Sequence, residues 1–310
     1  MINILFSAVS ENWDQYQGPL KKELDLIGIE YTLAEKLSPS EVDYIIYAPN
    51  SSIKDFSAFI NLKAVLNLWA GVENVVKNKT LTVPLARMVD EGLTQGMKEW
   101  VLGHVMRHHL GIDLHIFGQD GLWRDWSGPP LASSRTVTIL GLGALGAECA
   151  SALAKLGFKV RGWSLTKKSI NNVTCYHGVE GLEKSLFGSE IVVLLLPSTA
   201  NTENIINLKT ISFLSKNAII INPGRGTLID EKALIKSLDD GKLAHATLDV
   251  FRQEPLPADH LFWRHSKVTV TPHIASETRP STASRVIATN IKRFEKGKPL
   301  LYQVNFEAGY

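Results

Sequence analysis

The sequence has little cysteine and no long apolar run. Cys149 and Cys175 are its two cysteines in 310 residues, and they match neither a C-x-x-C motif nor a zinc-binding spacing. The longest apolar runs, such as that at 191–196, fall well short of the roughly 18 residues that a membrane span needs. Residues 1–9 lack the features of a signal peptide and are predicted to form a first strand. We therefore expect a soluble protein in a reducing, cytoplasmic compartment.

Charge of one sign is also scarce. The 33 Lys and Arg against 31 Asp and Glu leave a net charge of +2. This balance indicates neither a nucleic-acid partner nor a membrane partner, because both require a basic surface. Hydrophobic residues make up 45% of the chain, as in ordinary globular proteins. At about 150 residues per domain, the length predicts about two domains.

Short apolar runs rich in branched and aromatic residues alternate with helical patterns in two series. The first series lies at 2–6, 43–47, 64–68 and 82–86, and the second at 135–140, 158–163, 190–196, 218–222, 245–250 and 267–271. Such alternation predicts two α/β domains built on parallel sheets. A helix at 94–117 and a Gly-, Trp- and Pro-rich loop at 118–130 are expected to connect them. A helix at 281–295 is expected to return to the first domain.

A G-x-G-x-x-G motif at 141–146 follows the strand at 135–140 and precedes a helical pattern at 147–156. Gly141 permits a tight turn, Gly143 lets the backbone approach a pyrophosphate, and Gly146 allows close packing of the helix. The N-terminus of that helix would add partial positive charge. The motif therefore predicts a dinucleotide site, with a turn needed only for packing as the less favoured alternative.

The end of the next strand indicates which dinucleotide is preferred. An acidic residue there would bind the ribose hydroxyls of NAD, but the sequence reads Trp163-Ser164. Thr166, Lys167 and Lys168 follow, and this cluster suits a 2′-phosphate. We expect NADP (NADPH) to be preferred and NAD to be possible. The alternative is that the two lysines belong to a solvated loop.

Three polar segments lie at the ends of later strands of the second series, at 222–226, 249–255 and 271–276. They place Arg225, Glu254 and His273 on a common rim, since ligands of such sheets bind beyond the carboxyl ends of strands. An arginine can polarise a carbonyl and bind a carboxylate, a histidine can donate a proton, and a glutamate can orient that histidine. Beside a nicotinamide, this set predicts carbonyl reduction. Taken singly, each residue has an ordinary structural role as its alternative.

The motifs GLGALG, NPGRG, LDVF, EPLP and TPHIAS, in this order, resemble the D-isomer-specific 2-hydroxyacid dehydrogenase family over nearly the whole chain. LWAGVENV, GWSLTKKS and the terminal Gly309-Tyr310 are similar to its NADPH-dependent glyoxylate/hydroxypyruvate reductase group. Two positions depart from the family pattern. Gly224 stands where alanine or serine is frequent, and Leu165 stands where this group usually has arginine. Lys167 is close enough in sequence to take over the phosphate contact.

The resemblance implies a Rossmann cofactor domain at 99–275, inserted in a flavodoxin-like substrate domain formed by 1–98 and 276–310. It also implies a homodimer that reduces small 2-keto acids with NADPH, glyoxylate to glycolate and hydroxypyruvate to D-glycerate. Two alternatives stay open. One is a nucleotide-sensing, corepressor-like binding protein on the same fold, and the other is an NAD-dependent enzyme of this family with a different substrate.

Roles for individual residues also follow from the resemblance. Arg225 is expected to anchor the substrate, and His273, paired with Glu254, to donate the proton. The expected substrate-binding residues are Ala70, Gly71 and Val72 through their backbone amides, with Tyr47 and Arg279. The expected cofactor-binding residues are Gly141, Gly143, Ala144, Leu145, Gly146, Ser164, Thr166, Lys167, Lys168, Pro197, Thr202, Pro223, Gly224 and Asp249, the last at the nicotinamide carboxamide.

Some large side chains and histidines have no settled role in the sequence. Trp69, Met88 and Trp263 either restrict substrate size or belong to the core, as large side chains beside strand ends usually do. His104 and His108 share a helical spacing, but no third ligand accompanies them. No metal site is predicted.

Overall fold

The structure is a computed structural model that describes residues 1–123 and 128–310. Part of the predicted loop at 118–130, residues 124–127, lies outside the described residues. The chain divides into two compact units. Unit 1 consists of Met1–Leu93 and Glu277–Tyr310, and unit 2 consists of Thr94–Ser276.

Helices and strands alternate along both units. The strands are β1 Ile2–Ser7, β2 Tyr31–Ala34, β3 Tyr44–Tyr47, β4 Ala64–Asn67, β5 Leu85–Ala86, β6 Thr136–Leu140, β7 Lys159–Ser164, β8 Val173–His177, β9 Ile191–Leu194, β10 Ala218–Asn222, β11 Leu243–Leu248 and β12 Val268–Val270. The α-helices are α1 Ser10–Ile27, α2 Glu91–Leu110, α3 Ile112–Phe117, α4 Ala144–Lys155, α5 Gly178–Leu186, α6 Leu208–Ser212, α7 Glu231–Asp239 and α8 Pro280–Glu295.

Unit 1 is built on a five-stranded parallel sheet in the order β2-β1-β3-β4-β5. Its central strands are buried because both faces are covered, which explains their nearly continuous apolar sequences. One face packs against α1 and α8, with Leu20, Leu24 and Ile287 in the shared core. A second cluster, which includes Phe56 and Val65, fills the other face.

Unit 2 is built on a seven-stranded parallel sheet in the order β12-β11-β10-β9-β6-β7-β8. The chain runs outward from β6 to β8, returns to β9 on the other side of β6, and continues to β12. The direction of winding therefore reverses between β6 and β9, which is where ligands of doubly wound sheets bind. Helix α4 buries Gly146, Cys149, Ala150 and Leu153, one stripe of its surface, in the core of this unit.

The predicted fold class, two α/β units each with an all-parallel sheet, is confirmed. The helix predicted at 94–117 is interrupted: α2 ends at Leu110, Gly111 adopts a left-handed φ of 64°, and α3 follows. No helix in the described part of the chain combines the length and apolar character that crossing a bilayer requires.

Candidate active site

The glycine-rich turn after β6 lies at the reversal point of the unit 2 sheet. Gly141 has a φ of 106°, which side-chain-bearing residues rarely adopt, and a Cβ there would collide with the Leu195 carbonyl. At Gly146 a Cβ would collide with the carbonyl oxygen of Gly141. At Gly143, by contrast, a Cβ would meet nothing within 4 Å. Two glycines thus shape the turn, and the third faces open space.

The N-terminus of α4 opens directly onto this turn. Gly143 is the N-cap residue, and it has no side chain of its own with which to cap the helix. The first-turn amides of Ala144, Leu145 and Gly146 are consequently available to an anionic ligand. Open space at Gly143 beside uncapped amides fits a pyrophosphate, so the residues present suit a dinucleotide.

The segment after β7 carries the predicted phosphate-binding residues. The hydroxyl of Ser164 donates to the carbonyl oxygen of Thr166 at 2.7 Å, which turns the chain sharply after the strand. Leu165, Thr166, Lys167 and Lys168 are exposed. In the described chain neither lysine is bound to a carboxylate. The two ammonium groups therefore stand beside one short turn in solvent.

Two further turns at the carboxyl edge of the sheet contain predicted cofactor-binding residues. After β9, the Thr202 hydroxyl donates to the Pro197 carbonyl oxygen at 2.6 Å and closes the loop. After β10, the Asn222 side chain accepts from Gly224 N at 3.1 Å and donates to the Arg225 carbonyl oxygen at 2.9 Å. These bonds close the turn that contains Pro223. A Cβ on Gly224 would approach the Leu194 carbonyl oxygen to 2.8 Å, which gives a physical reason for glycine at this departure from the family pattern.

His273 and Glu254 form a hydrogen-bonded pair. The Nδ1 atom of His273 lies 2.7 Å from Oε2 of Glu254, and the other carboxylate oxygen accepts from Phe251 N at 2.9 Å. The glutamate is thus fixed by its own loop while it fixes the ring. The imidazole is 52% exposed, which leaves its Nε2 edge accessible to a substrate. This arrangement suits a histidine that exchanges a proton at Nε2.

Asp249 holds the segment that carries His273. Its side chain is 0% exposed, and its carboxylate accepts from the Thr271 hydroxyl at 2.6 Å, Ile274 N at 2.9 Å and Ala275 N at 2.9 Å. Its carbonyl oxygen accepts from His273 N at 2.8 Å. These bonds support a left-handed φ of 56° at His273, an unfavourable conformation for a non-glycine residue. Holding this segment is a different role from the predicted contact with the nicotinamide.

Arg225 follows β10 in the same unit. Its Nη1 donates to the Gly224 carbonyl oxygen at 2.7 Å. The side chain is half-buried, and it belongs to the same sheet edge as the segments that carry Glu254 and His273. The structure therefore brings the three predicted catalytic residues to one edge of unit 2.

The predicted substrate-binding residues belong to unit 1. Ala70 and Gly71 are partly exposed and Val72 is buried, in the loop after β4. Arg279 is exposed and precedes α8. Tyr47 is only 4% exposed, and its hydroxyl donates to the Ile53 carbonyl oxygen at 3.3 Å. For Tyr47 the structure shows a side chain packed in the core.

The large side chains to which the sequence assigned no single role differ in burial and in the unit to which they belong. Met88 is buried in the core of unit 1. Trp69 in unit 1 and Trp263 in unit 2 are partly exposed. Among the described residues no group of three or more His, Cys, Asp or Glu side chains could hold a metal ion.

One polar residue of unit 1 was missed by the sequence reasoning. Asn67, the last residue of β4, is buried, and its amide nitrogen donates to the carbonyl oxygens of Trp69 and Gly71. The available signal was an amide at the end of an otherwise apolar strand, directly before a glycine-containing loop.

A glycine-rich turn that suits a dinucleotide and an imidazole–carboxylate pair lie at one edge of a doubly wound sheet. Together they indicate a dinucleotide-dependent oxidoreductase. A sequence model described as "D-isomer specific 2-hydroxyacid dehydrogenase, NAD binding domain" matches residues 102–275. A glyoxylate/hydroxypyruvate reductase A from Yersinia enterocolitica is 35% identical, and the match covers 100% of both chains. Another from Serratia proteamaculans is 39% identical over 80% of this chain and 82% of its own.

Solved structures give the same result. A D-isomer specific 2-hydroxyacid dehydrogenase from Xanthobacter autotrophicus, in complex with NADPH and MES, superposes with a TM-score of 0.92 at 39% identity and covers 99% of both chains. An NADPH-dependent glyoxylate/hydroxypyruvate reductase from Sinorhizobium meliloti, in complex with NADP and sulfate, gives a TM-score of 0.86 at 33% identity, covering 100% of this chain and 99% of its own. The chain belongs to the D-isomer-specific 2-hydroxyacid dehydrogenase family, and it is an oxidoreductase.

Proposed function

We propose that this enzyme reduces small 2-keto acids with NADPH, glyoxylate to glycolate and hydroxypyruvate to D-glycerate. The observation that carries the proposal is the His273–Glu254 pair, 2.7 Å between Nδ1 and Oε2, in the unit that also holds the glycine-rich turn. Relatives named for these two substrates, and neighbours solved with NADPH or NADP, support the choice of substrate and cofactor.

The proposed chemistry divides the work between cofactor and protein. When bound, the dihydronicotinamide supplies the hydride that reduces the keto carbon. His273 donates a proton from Nε2 to the carbonyl oxygen, so the products balance as a hydroxy acid and the oxidised cofactor. Glu254 keeps the imidazole oriented through Nδ1. Arg225 binds the substrate and stabilises negative charge on its oxygen.

We propose that the substrate carboxylate is bound by the backbone amides of Ala70, Gly71 and Val72. The cofactor pyrophosphate is assigned to the turn at Gly143 and the uncapped N-terminus of α4. The 2′-phosphate is assigned to Ser164, Thr166, Lys167 and Lys168, whose exposed cations compensate for the missing arginine at Leu165.

A homodimer is part of the proposal. Three apolar side chains of α3 are exposed to water, those of Leu114, Ile116 and Phe117. Apolar surface in water is unfavourable, and a second copy of the chain would remove this free-energy cost by covering it. Light scattering of the eluted protein should give twice the mass of the chain. The mass of a single chain at micromolar concentration would contradict this assignment.

The experiment that tests the activity follows oxidation of NADPH and NADH in parallel with glyoxylate, hydroxypyruvate and pyruvate. We expect turnover with NADPH and the first two acids. Tight cofactor binding without turnover of any cofactor and keto-acid pair would contradict the proposed reductase activity and favour a nucleotide sensor.

A further inference from the structure

Asn67 is an unusual residue for its position. It ends β4, a strand whose other residues are apolar and buried, and it is itself only 1% exposed. Its Nδ2 atom donates to the Trp69 carbonyl oxygen at 2.7 Å and to the Gly71 carbonyl oxygen at 3.0 Å. Its Oδ1 atom is buried and has no hydrogen-bond partner in the described part of the chain.

The orientation of this amide follows from its neighbours. Turning it over would place Oδ1 against two carbonyl oxygens, which is repulsive, whereas the observed orientation gives each carbonyl one hydrogen. Burying an unpaired amide oxygen opposes folding, and an apolar side chain would avoid that cost. The two N–H donors of the Asn67 amide therefore account for its presence, and both form hydrogen bonds to the loop that follows.

These two hydrogen bonds also set the direction of two backbone N–H groups. In a trans peptide the C=O and the N–H point to opposite sides. Because the carbonyls of Trp69 and Gly71 point toward Asn67, the N–H groups of Ala70 and Val72 point away from it. Neither these two N–H groups nor that of Gly71 donates to an acceptor within the described residues. The N–H groups of Ala70 and Val72, which face away from Asn67, are donors of the kind that line an anion-binding concavity.

Other contacts hold the start of the same loop. The Trp69 carbonyl oxygen also accepts from Met88 N at 3.0 Å, and the Leu68 carbonyl oxygen accepts from the Thr278 hydroxyl at 2.9 Å. The Gly71 carbonyl oxygen has only Asn67 as a donor among the described residues. The direction of the Val72 N–H therefore depends most on Asn67.

We propose that Asn67 is a positioning residue, which holds the loop at 69–72 in the conformation that binds the substrate carboxylate. The identity of that anion rests on the proposed function; the fixed direction of the amides does not. Asn67 reaches no substrate itself, since its side chain is enclosed beneath the loop. Its removal should therefore weaken binding of a carboxylate and leave cofactor binding unchanged.

The test uses Asn67→Leu, which keeps side-chain size and removes both donors, in the full-length enzyme with NADPH. We expect the KM for glyoxylate to rise about ten-fold, the loss of one well-placed interaction, with kcat within about two-fold of the wild type and the KM for NADPH unchanged. Asn290→Leu is the matched control. Asn290 is an equally buried amide of unit 1, which donates to the Leu301 carbonyl oxygen at 3.3 Å in a different part of the unit. Asn67→Ser is the second variant if Asn67→Leu does not fold.

A binding measurement separates this inference from the proposed function. Oxalate, a small carboxylate, is titrated calorimetrically into each protein with saturating NADP⁺. If the wild type reduces no keto acid, the proposed function fails, and the oxalate titration alone decides the role of Asn67. Weaker oxalate binding by the Asn67 variant, with wild-type binding by the Asn290 variant, supports the proposal. Equal binding by the wild type and the Asn67 variant, equal losses in both variants, or no oxalate binding by the wild type overturns it.

Discussion

Asp249 holds the backbone of His273, whereas Glu254 holds its ring. Its buried carboxylate accepts three hydrogen bonds from the segment at 271–275, and its carbonyl oxygen accepts a fourth from His273 N. The left-handed backbone of His273 depends on these bonds. A buried residue that holds the backbone of a proton donor can therefore control the rate through geometry.

Replacing Asp249 by asparagine should lower both stability and kcat. One of its two oxygens becomes an NH₂ group, and in either orientation of the amide that group faces a backbone N–H, of Ile274 or of Ala275. We expect the free energy of unfolding to fall by about 1–3 kcal/mol and kcat to fall by at least about ten-fold, with denaturant titration and initial rates as the measurements. Asp230→Asn is the control, because asparagine caps a helix as well as aspartate does. Normal kcat in Asp249→Asn would show that the segment does not need these bonds.

Lys167 and Lys168 are the residues to which we assign the preference for NADPH over NADH. Replacing both by alanine should lower the ratio of kcat/KM for NADPH to that for NADH by about ten-fold or more, because hydrogen bonds to the 2′-phosphate are charge-assisted. Lys155→Ala with Lys184→Ala removes two exposed charges elsewhere in unit 2 and should leave the ratio unchanged. An equal loss with both cofactors would remove the assignment of the 2′-phosphate to this turn.

At the scale of elements, different glycines of the turn from β6 to α4 are needed for protein stability and for cofactor binding. Gly143→Ala places its methyl in open space, so we expect the free energy of unfolding to change by less than about 1 kcal/mol. The dissociation constant for NADPH should rise at least about ten-fold, because the methyl occupies the position proposed for the pyrophosphate. Gly146→Ala collides with the Gly141 carbonyl and should destabilise the protein before any cofactor is added. Melting curves with and without NADPH distinguish the two. Unchanged NADPH binding in Gly143→Ala would place the pyrophosphate elsewhere.

The contact between α2 and β11 predicts a pH dependence of stability. Burial, with a smaller effect from neighbouring cations, lowers the pKa of His108 to about 3 and that of His245 to about 4. Their ring centroids are 4.9 Å apart, and each Nε2 bonds to a threonine hydroxyl, of Thr247 and Thr269 respectively. Because both folded-state pKa values lie below the ordinary 6.5, the unfolded chain takes up protons first as the pH falls.

Stability should therefore be lost as the pH falls from about 6.5 toward 4, by roughly 3 kcal/mol for each histidine, and should be unaffected by these groups above 6.5. The double variant His108→Gln, His245→Gln cannot take up these protons, so its stability should fall less over this range. The difference between variant and wild type at pH 8 measures the cost of repacking alone. Parallel pH profiles for the two proteins would contradict the account.

How much of an element could be predicted depended on its burial. The strands covered on both faces, such as β3 and β10, are continuous apolar runs and were predicted within a few residues. The edge strands β2 and β8 are partly exposed and mixed in sequence, so no apolar run marked them. The break at Gly111 required a left-handed backbone, which a single glycine in a helical pattern does not establish.

At the scale of the whole molecule, the sequence predicted those parts of the candidate site that are local in the chain. The glycine-rich turn and the lysine pair each lie within a few residues, and their chemistry follows from order and spacing. The roles of Asp249 and Asn67 depend on which way backbone groups point after folding. Asp249 bonds to Ala275, 26 residues later in the chain, and no local pattern reveals such a contact.

We propose that one chain binds NADPH and a small keto acid and supplies the proton from His273. The most direct test measures glyoxylate reduction by NADPH in the wild type and in His273→Asn, with the NADPH dissociation constant determined for both. We expect kcat to fall by about 10²–10⁴-fold, the usual contribution of a general acid, while the dissociation constant stays within about two-fold because the cofactor turn is intact. A His273→Asn enzyme that retains near-wild-type kcat would contradict the account.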